Sequence, residues 1–165
     1  MRDRRFVAAH RGGPLDPESH RFLARWAADC ADRVLYLFTR SSHDTRPQRA
    51  LEIARAWANR EVKTGAAMQA SVAAHAAARE ATGKAAIAAA RSAGHAVATA
   101  HFADHSMGAL LYALKALEAA GCTADSELKS QLEKLPDNLR EPIVSGLMVR
   151  MAPLGIQAAI ERKQT

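Results

Sequence analysis

Cysteine, aromatic residues and long apolar runs are all scarce in this sequence, and each scarcity removes a class of protein. Two cysteines in 165 residues, Cys30 and Cys122, cannot frame a disulfide-stapled fold. Cys30 falls among apolar neighbours, as a buried, reduced thiol does. Aromatic residues make up only 5% of the chain, and the alternation of rings with basic side chains that grips single-stranded nucleic acid is missing. No apolar run approaches the ~18 residues of a membrane span, and no basic, apolar and small-residue succession opens the chain as a signal peptide would. The expectation is a cytoplasmic protein with no membrane segment.

What the chain does have is positive charge, unevenly placed. The formal net charge is +6 and the pI about 9.8. Residues 1–65 carry 13 Lys and Arg against 8 Asp and Glu, residues 66–124 carry 4 against 3, and residues 125–165 carry 6 against 6. The excess is therefore N-terminal. Its arginines are interleaved with acids, Arg25 with Asp29 and Arg49 with Glu52, which is the pattern of solvated helix faces rather than of a phosphate-binding stripe. Nucleic acid is not the expected partner.

Helical periodicity runs through almost the whole chain. Asp16 and Pro17 form a cap and first-turn pair. Beyond them Leu23, Trp26, Ala27, Cys30, Val34, Leu37 and Phe38 recur at three- and four-residue spacing, which predicts one helix to about Thr39. Pro47 opens a second helix bearing Leu51, Ala54, Trp57 and Ala58 and ending near Val62. An alanine-rich third helix runs from Ala66 to Thr82, closed by Gly83. Trp26 and Trp57 read as core anchors rather than partner hot spots.

From Lys84 to Ala120 a single rod would reach about 55 Å, against a radius of gyration near 15 Å for a domain of this length. The rod must break, and Asp104, able to cap the helix beyond it, is preferred to Gly94 as the corner. Helices over 84–103 and 105–120 result. The remainder reads as two shorter helices separated by Pro136 and interrupted by Pro142 and Pro153. Strand-like alternation is absent, so the fold class is all-α: one domain over residues 1–165, a bundle of six to seven helices. Residues 1–14 form a basic lead and 154–165 a tail expected to fray. The sparsely charged stretch 66–124 supplies the interior layer.

Chemistry, if present, belongs to histidines. The run GHAVATAHFADHSMGA holds His95, His101 and His105. His101 and His105 have the four-residue spacing of a shared metal, but on one helix His95 would lie about 120° round and about 9 Å away, a poor third ligand. Glu-x-x-His precedes none of the histidines. The metal alternative rests on His75, His101, Asp104 and His105. Proton transfer is the second alternative: His75 and Arg79 share a face, Asp104 neighbours His105, and a pocket between the central helices would tune an imidazole. No activated nucleophile accompanies them, since Ser106 lacks the Gly-x-Ser-x-Gly elbow. Packing is preferred to both, with imidazoles set in the narrow seams between alanine-rich helices and hydrogen-bonded to carbonyls or carboxylates. His75, Arg79, His95, His101, Asp104 and His105 are thus candidate binding residues, with no catalytic residue and no cofactor expected. His10, Arg11, Gly12 and Gly13, just ahead of a helix start, form a weaker anion-binding candidate, since Asp16 already brings a negative charge there.

Taken in order, HRGGPLDPESHRFLARWAADCADRVL, RPQRALEIARAWANREV, AAHAAAREATGKAAIAAARSAGHAVATAHFADHSMGALLYALKAL and QLEKLPDNLREPIVSGL resemble the Imm-5-like family of bacterial immunity proteins. The likeness spans about residues 5–148. It implies an all-helical cytoplasmic protein that protects its producer by binding and neutralising a cognate polymorphic toxin through occlusion, and it carries over no catalytic residue. Because the excess charge is basic, an acidic or neutral toxin domain is the expected partner, with affinity that falls as salt rises. A homodimer is compatible with the same reading. The rival reading is a metal- or small-ligand-binding bundle, an enzyme among its forms, which requires His75, Arg79, His101, Asp104 and His105 to converge on one cavity.

Overall fold

The cap inferred at Asp16 is built as its sequence dictates. In the computed structural model, which describes residues 3–160, the Asp16 carboxylate accepts from the Ser19 amide at 2.9 Å and from the Ser19 hydroxyl at 2.7 Å. Pro17 then opens helix α1 (Pro17–Asp32), whose Leu23, Trp26, Ala27 and Cys30 are buried. The predicted continuation to Thr39 is interrupted. At Arg33–Leu35 the hydrogen bonds tighten to three-residue spacing, with Val34 N donating to Ala31 O and Leu35 N to Asp32 O, and a one-turn α2 follows (Tyr36–Thr39). The kink turns Val34, Leu37 and Phe38 into the core from a new direction.

Among the described residues, seven helices of nine or more residues complete the architecture: besides α1 these are α3 (Arg46–Ala58), α4 (Thr64–Glu80), α5 (Lys84–Ala98), α6 (His105–Ala119), α7 (Asp125–Glu133) and α8 (Asp137–Met151). The described residues contain no strand, only an isolated bridge between Ala8 and Leu15. The all-α bundle is therefore shown. α3 stops at Ala58, short of the expected Val62, where Arg60 turns the chain at φ 66°. Arg25 also finds a different partner from the one its spacing suggested: it lies 3.5 Å from Glu18, while Asp29 pairs with Arg55 of α3 at 3.0 Å. Neighbouring helices compete for carboxylates that sequence spacing assigns only within one helix.

α5 is the central element, packed against α1, α3, α4 and α6. Ala85, Ala86, Ala88, Ala89, Ala90, Ala93 and Ala96 are all buried on it. Methyl-sized side chains bring helix axes close enough for cross-helix bonds from side chain to backbone. Ser92 donates to the Ala109 carbonyl of α6 at 2.7 Å, and Ser71 of α4 donates to the Gly94 carbonyl at 3.0 Å. α4, by contrast, buries one face only. The larger apolar side chains gather on the other side of α6, where Leu23, Leu110, Leu114, Leu128, Ile143 and Leu147 are fully buried, each contributing about 1.5–3 kcal/mol of transfer free energy.

Two expectations at the chain ends are corrected. Pro142 lies inside α8 without ending it. It sits in the second turn, so the lost bond leaves only the carbonyl of Asn138, an exposed residue that water can satisfy. α8 is thus as long as α6, not a short segment. The tail is docked rather than frayed over 155–160: Glu118 accepts from the amides of Gln157 and Ala158 at 2.9 Å each, Asp125 accepts from Ala159 at 3.0 Å, and Ile156 and Ala158 are buried. Residues 161–165 lie outside the described residues.

Candidate functional site

The corner between α5 and α6 decides which histidines meet. α5 ends at Ala98 and α6 begins at His105, so the segment between reverses the chain, and Asp104 stands at the helix start as expected. It does so in helical conformation, with no hydrogen bond from its side chain to the helix amides. The capping role is therefore a correction. The corner is made by backbone instead, with His101 N and Phe102 N both donating to the Ala98 carbonyl, at 2.9 and 3.1 Å.

Because the chain folds back, His95 of α5 faces His105 of α6, with their Nδ1 atoms 3.2 Å apart. One of the two nitrogens carries the proton. His75 of α4 stands edge-on to His95 at 5.1 Å between ring centroids, and Tyr112 of α6 stacks on His95 at 5.1 Å and 10°. The result is a ladder of half-buried rings across three helices. Glycine makes the rungs fit. A Cβ on Gly94 would sit 2.7 Å from His75 Nε2, and one on Gly108 would sit 2.7 Å from His95 Nδ1. Each imidazole thus occupies a notch that only glycine leaves open.

The electrostatics disfavour charge on His95 and His75. Burial pushes His95 down to about 3, with His75, His105 and Arg91 adding repulsion. His75 is also lowered, first by burial and then by His105, Arg91 and Arg79. Arg91 lies over the Tyr112 ring at 5.8 Å. Among the described residues no group of three or more His, Cys, Asp and Glu is arranged to hold a metal ion.

His101 and Asp104 lie elsewhere, in a cleft of about 130 Å³ lined also by Asp3, Phe6, Arg11, His20 and Phe102. Here the basic lead folds over the corner, and the Arg11 guanidinium sits 4.5 Å above the Phe102 ring. The amides of Arg11 and Gly13 donate to the Ala8 carbonyl, at 2.9 and 3.2 Å, and that of Gly12 to Ala9 at 2.9 Å. His10 is exposed on the same turn. The anion-binding candidate thus has its three consecutive amides engaged by its own loop. His20, which the spacing of the sequence does not single out, is a buried imidazole bonded to a backbone carbonyl. Its Nε2 donates to the Thr99 carbonyl at 2.6 Å, and burial lowers its pKa. The six candidate residues therefore divide: His75, His95 and His105 join in the ladder with Arg79 beside them, while His101 and Asp104 share the cleft.

Gly94, Gly108, Tyr112 and Arg91 complete the ladder and are not marked as site residues by the sequence pattern. Interior glycines in otherwise helical segments are the available signal, because they mark close approach of another element. Against this geometry, the family model described as Imm-5 like putative immunity protein matches residues 13–138, from the turn ahead of α1 to the start of α8. The chain belongs to the Imm-5-like family. The matched region contains the complete α4–α5–α6 layer and both histidine groups, so the ladder lies within the Imm-5-like domain. No curated protein and no solved structure matches the chain. No helix among the described residues is long and apolar enough to cross a membrane.

Proposed function

We propose that this chain is an immunity protein of the bacterial cytoplasm that binds a cognate protein toxin and neutralises it by covering its working surface, with no chemical step of its own. Membership of the Imm-5-like family carries the reading. The site geometry supports it. A catalytic or ligand-binding bundle would draw His75, Arg79, His101, Asp104 and His105 into one cavity, and these side chains divide between the ladder and the cleft. Burial first, and then cationic and imidazole neighbours, disfavours the charged form of His75 and His95, and glycine notches account for where both sit.

The test is rescue. Candidate toxin domains encoded by the same bacterium are expressed one at a time in a sensitive host, with and without this chain. Restored growth with one of them, together with a stoichiometric complex on size-exclusion chromatography, is the expected result. Failure to rescue from any, or a stoichiometric transition metal in the native protein by elemental mass spectrometry, would overturn it.

A further inference from the structure

α4 is covered on one side only. Its Ala67, Ala74, Ala77 and Ala78 are buried, whereas Gly65, Met68, Gln69 and Val72 face solvent, with Ala76 half-buried beside them. Met68, Val72 and Ala76 succeed one another at four-residue spacing and so form a continuous strip along the helix. Met68 is 45% exposed and Val72 69%. No charged side chain occurs between Lys63 and Arg79. Gln69 apart, the outward side of this helix is therefore apolar or small and carries no charge. A β-branched residue is a poor helix former, and one exposed to this degree returns no packing, so the stability of the chain gives no reason for Val72.

The strip has cationic ends. Arg60 and Lys63 precede it, Arg79 closes it, and Lys84 and Arg91 come next in α5. Among the described residues Arg60, Lys63, Arg79 and Lys84 enter no ion pair, whereas Arg25, Arg46, Arg49 and Arg55 in α1 and α3 each hold a carboxylate. Of the two acids in residues 60–91, Glu80 is held by Arg46, which leaves Glu61 to offset the group.

We propose that the outward face of α4, from Lys63 through Met68, Val72 and Ala76 to Arg79, is the surface that docks the toxin, and that the toxin offers it an apolar groove with acidic residues at both ends. The inference rests on the immunity reading and adds to it the surface and the partner's chemistry. From Thr64, next to the Lys63 cap, to Arg79 the helix rises about 22 Å, a length suited to lying in a groove. A second copy of this chain is the wrong occupant. Pairing two α4 faces antiparallel sets Lys63 against the other Arg79, and pairing them parallel sets like residues together, so both arrangements bring unpaired cations into contact.

The experiment uses the toxin found by rescue, with affinity measured by calorimetry at two salt concentrations. Val72→Asp is expected to weaken the complex at least a hundredfold, by placing a charge at the centre of the apolar contact. Arg79→Glu is expected to weaken it about tenfold and to flatten its salt dependence. Tyr36→Asp, at an exposed apolar residue on α2, should leave affinity unchanged, and circular dichroism checks that each variant folds. A complex that forms normally with Val72→Asp overturns the docking surface while the immunity reading stands. Should no toxin be neutralised, the immunity reading falls and the surface is judged with a synthetic probe. This is a 17-residue amphipathic peptide, leucine on one face and glutamate at both ends, titrated against the labelled protein by NMR beside a counterpart with lysine in place of glutamate. Shifts at Met68, Val72 and Ala76 with the acidic peptide alone support the surface, and shifts elsewhere, with both peptides or with neither overturn it.

Discussion

Gly94→Ala isolates the notch that holds His75. In a helix interior alanine is favoured over glycine by about 0.8–1 kcal/mol, so the change alone should stabilise α5. The added Cβ, however, would stand 2.7–2.9 Å from three atoms of the His75 imidazole. That ring cannot simply swing away, because His95 stands edge-on to it at 5.1 Å. Overpacking of this kind costs about 1–3 kcal/mol, and the balance is a loss of about 0–2 kcal/mol in the native background. With His75→Ala the obstruction disappears, and Gly94→Ala should then stabilise by about 1 kcal/mol, or a rise in Tm of about 2–4 °C for a chain of this length. The two backgrounds thus differ in sign, with a coupling of at least about 1 kcal/mol in a double-mutant cycle. Urea unfolding followed by circular dichroism measures all four proteins. If Gly94→Ala stabilises both backgrounds alike, His75 does not occupy the notch and the account of the ladder is wrong.

Three further outcomes rest on named contacts. Because His95, His75 and His20 have pKa values lowered in the fold, the unfolded chain binds protons that the folded one refuses. Stability should therefore fall as pH drops from about 6.5 toward 3, and His95→Gln should flatten the part of that fall above pH 4.5 in urea midpoints. Asp16→Ala removes both bonds to Ser19 and should cost about 0.5–2 kcal/mol in urea unfolding, whereas Asp16→Asn, which keeps an acceptor, should cost less. Cys122 is exposed while Cys30 is buried with its thiol pushed well up by desolvation, so a disulfide reagent at pH 8 should consume one thiol promptly and the second only on unfolding.

Local signals in the sequence translated directly into structure. The Asp16–Pro17 start needs only its own turn of helix, and it formed as read. The corner near Asp104 was legible because a rod of that length cannot fit the domain, a constraint of geometry rather than of partners. The histidine ladder was not legible, and for a definite reason: placing His95 far from its neighbours assumed one continuous helix. Once α5 and α6 fold back, residues ten apart in sequence meet with nitrogens 3.2 Å apart. The docking of 155–160 was not legible for a similar reason. Nothing within 154–165 reveals that Glu118 and Asp125, on other elements, will accept its amides. Pro142 misled because a breaker matters by position, and in the second turn of α8 it removes a bond that exposed backbone can replace with water.

The contrast between α5 and α4 bears on how such a protein can diverge. Most of α5 is engaged, by buried alanines at close contact and by serine hydroxyls bonded across its seams, so enlargement at those positions disturbs several helices at once. Met68 and Val72 on the outward side of α4 are exposed, and exchange there comes at small cost to folding. A lineage can therefore rewrite the exposed strip quickly while its alanine spine stays frozen. That separation lets the exposed strip vary while the scaffold beneath it is left intact.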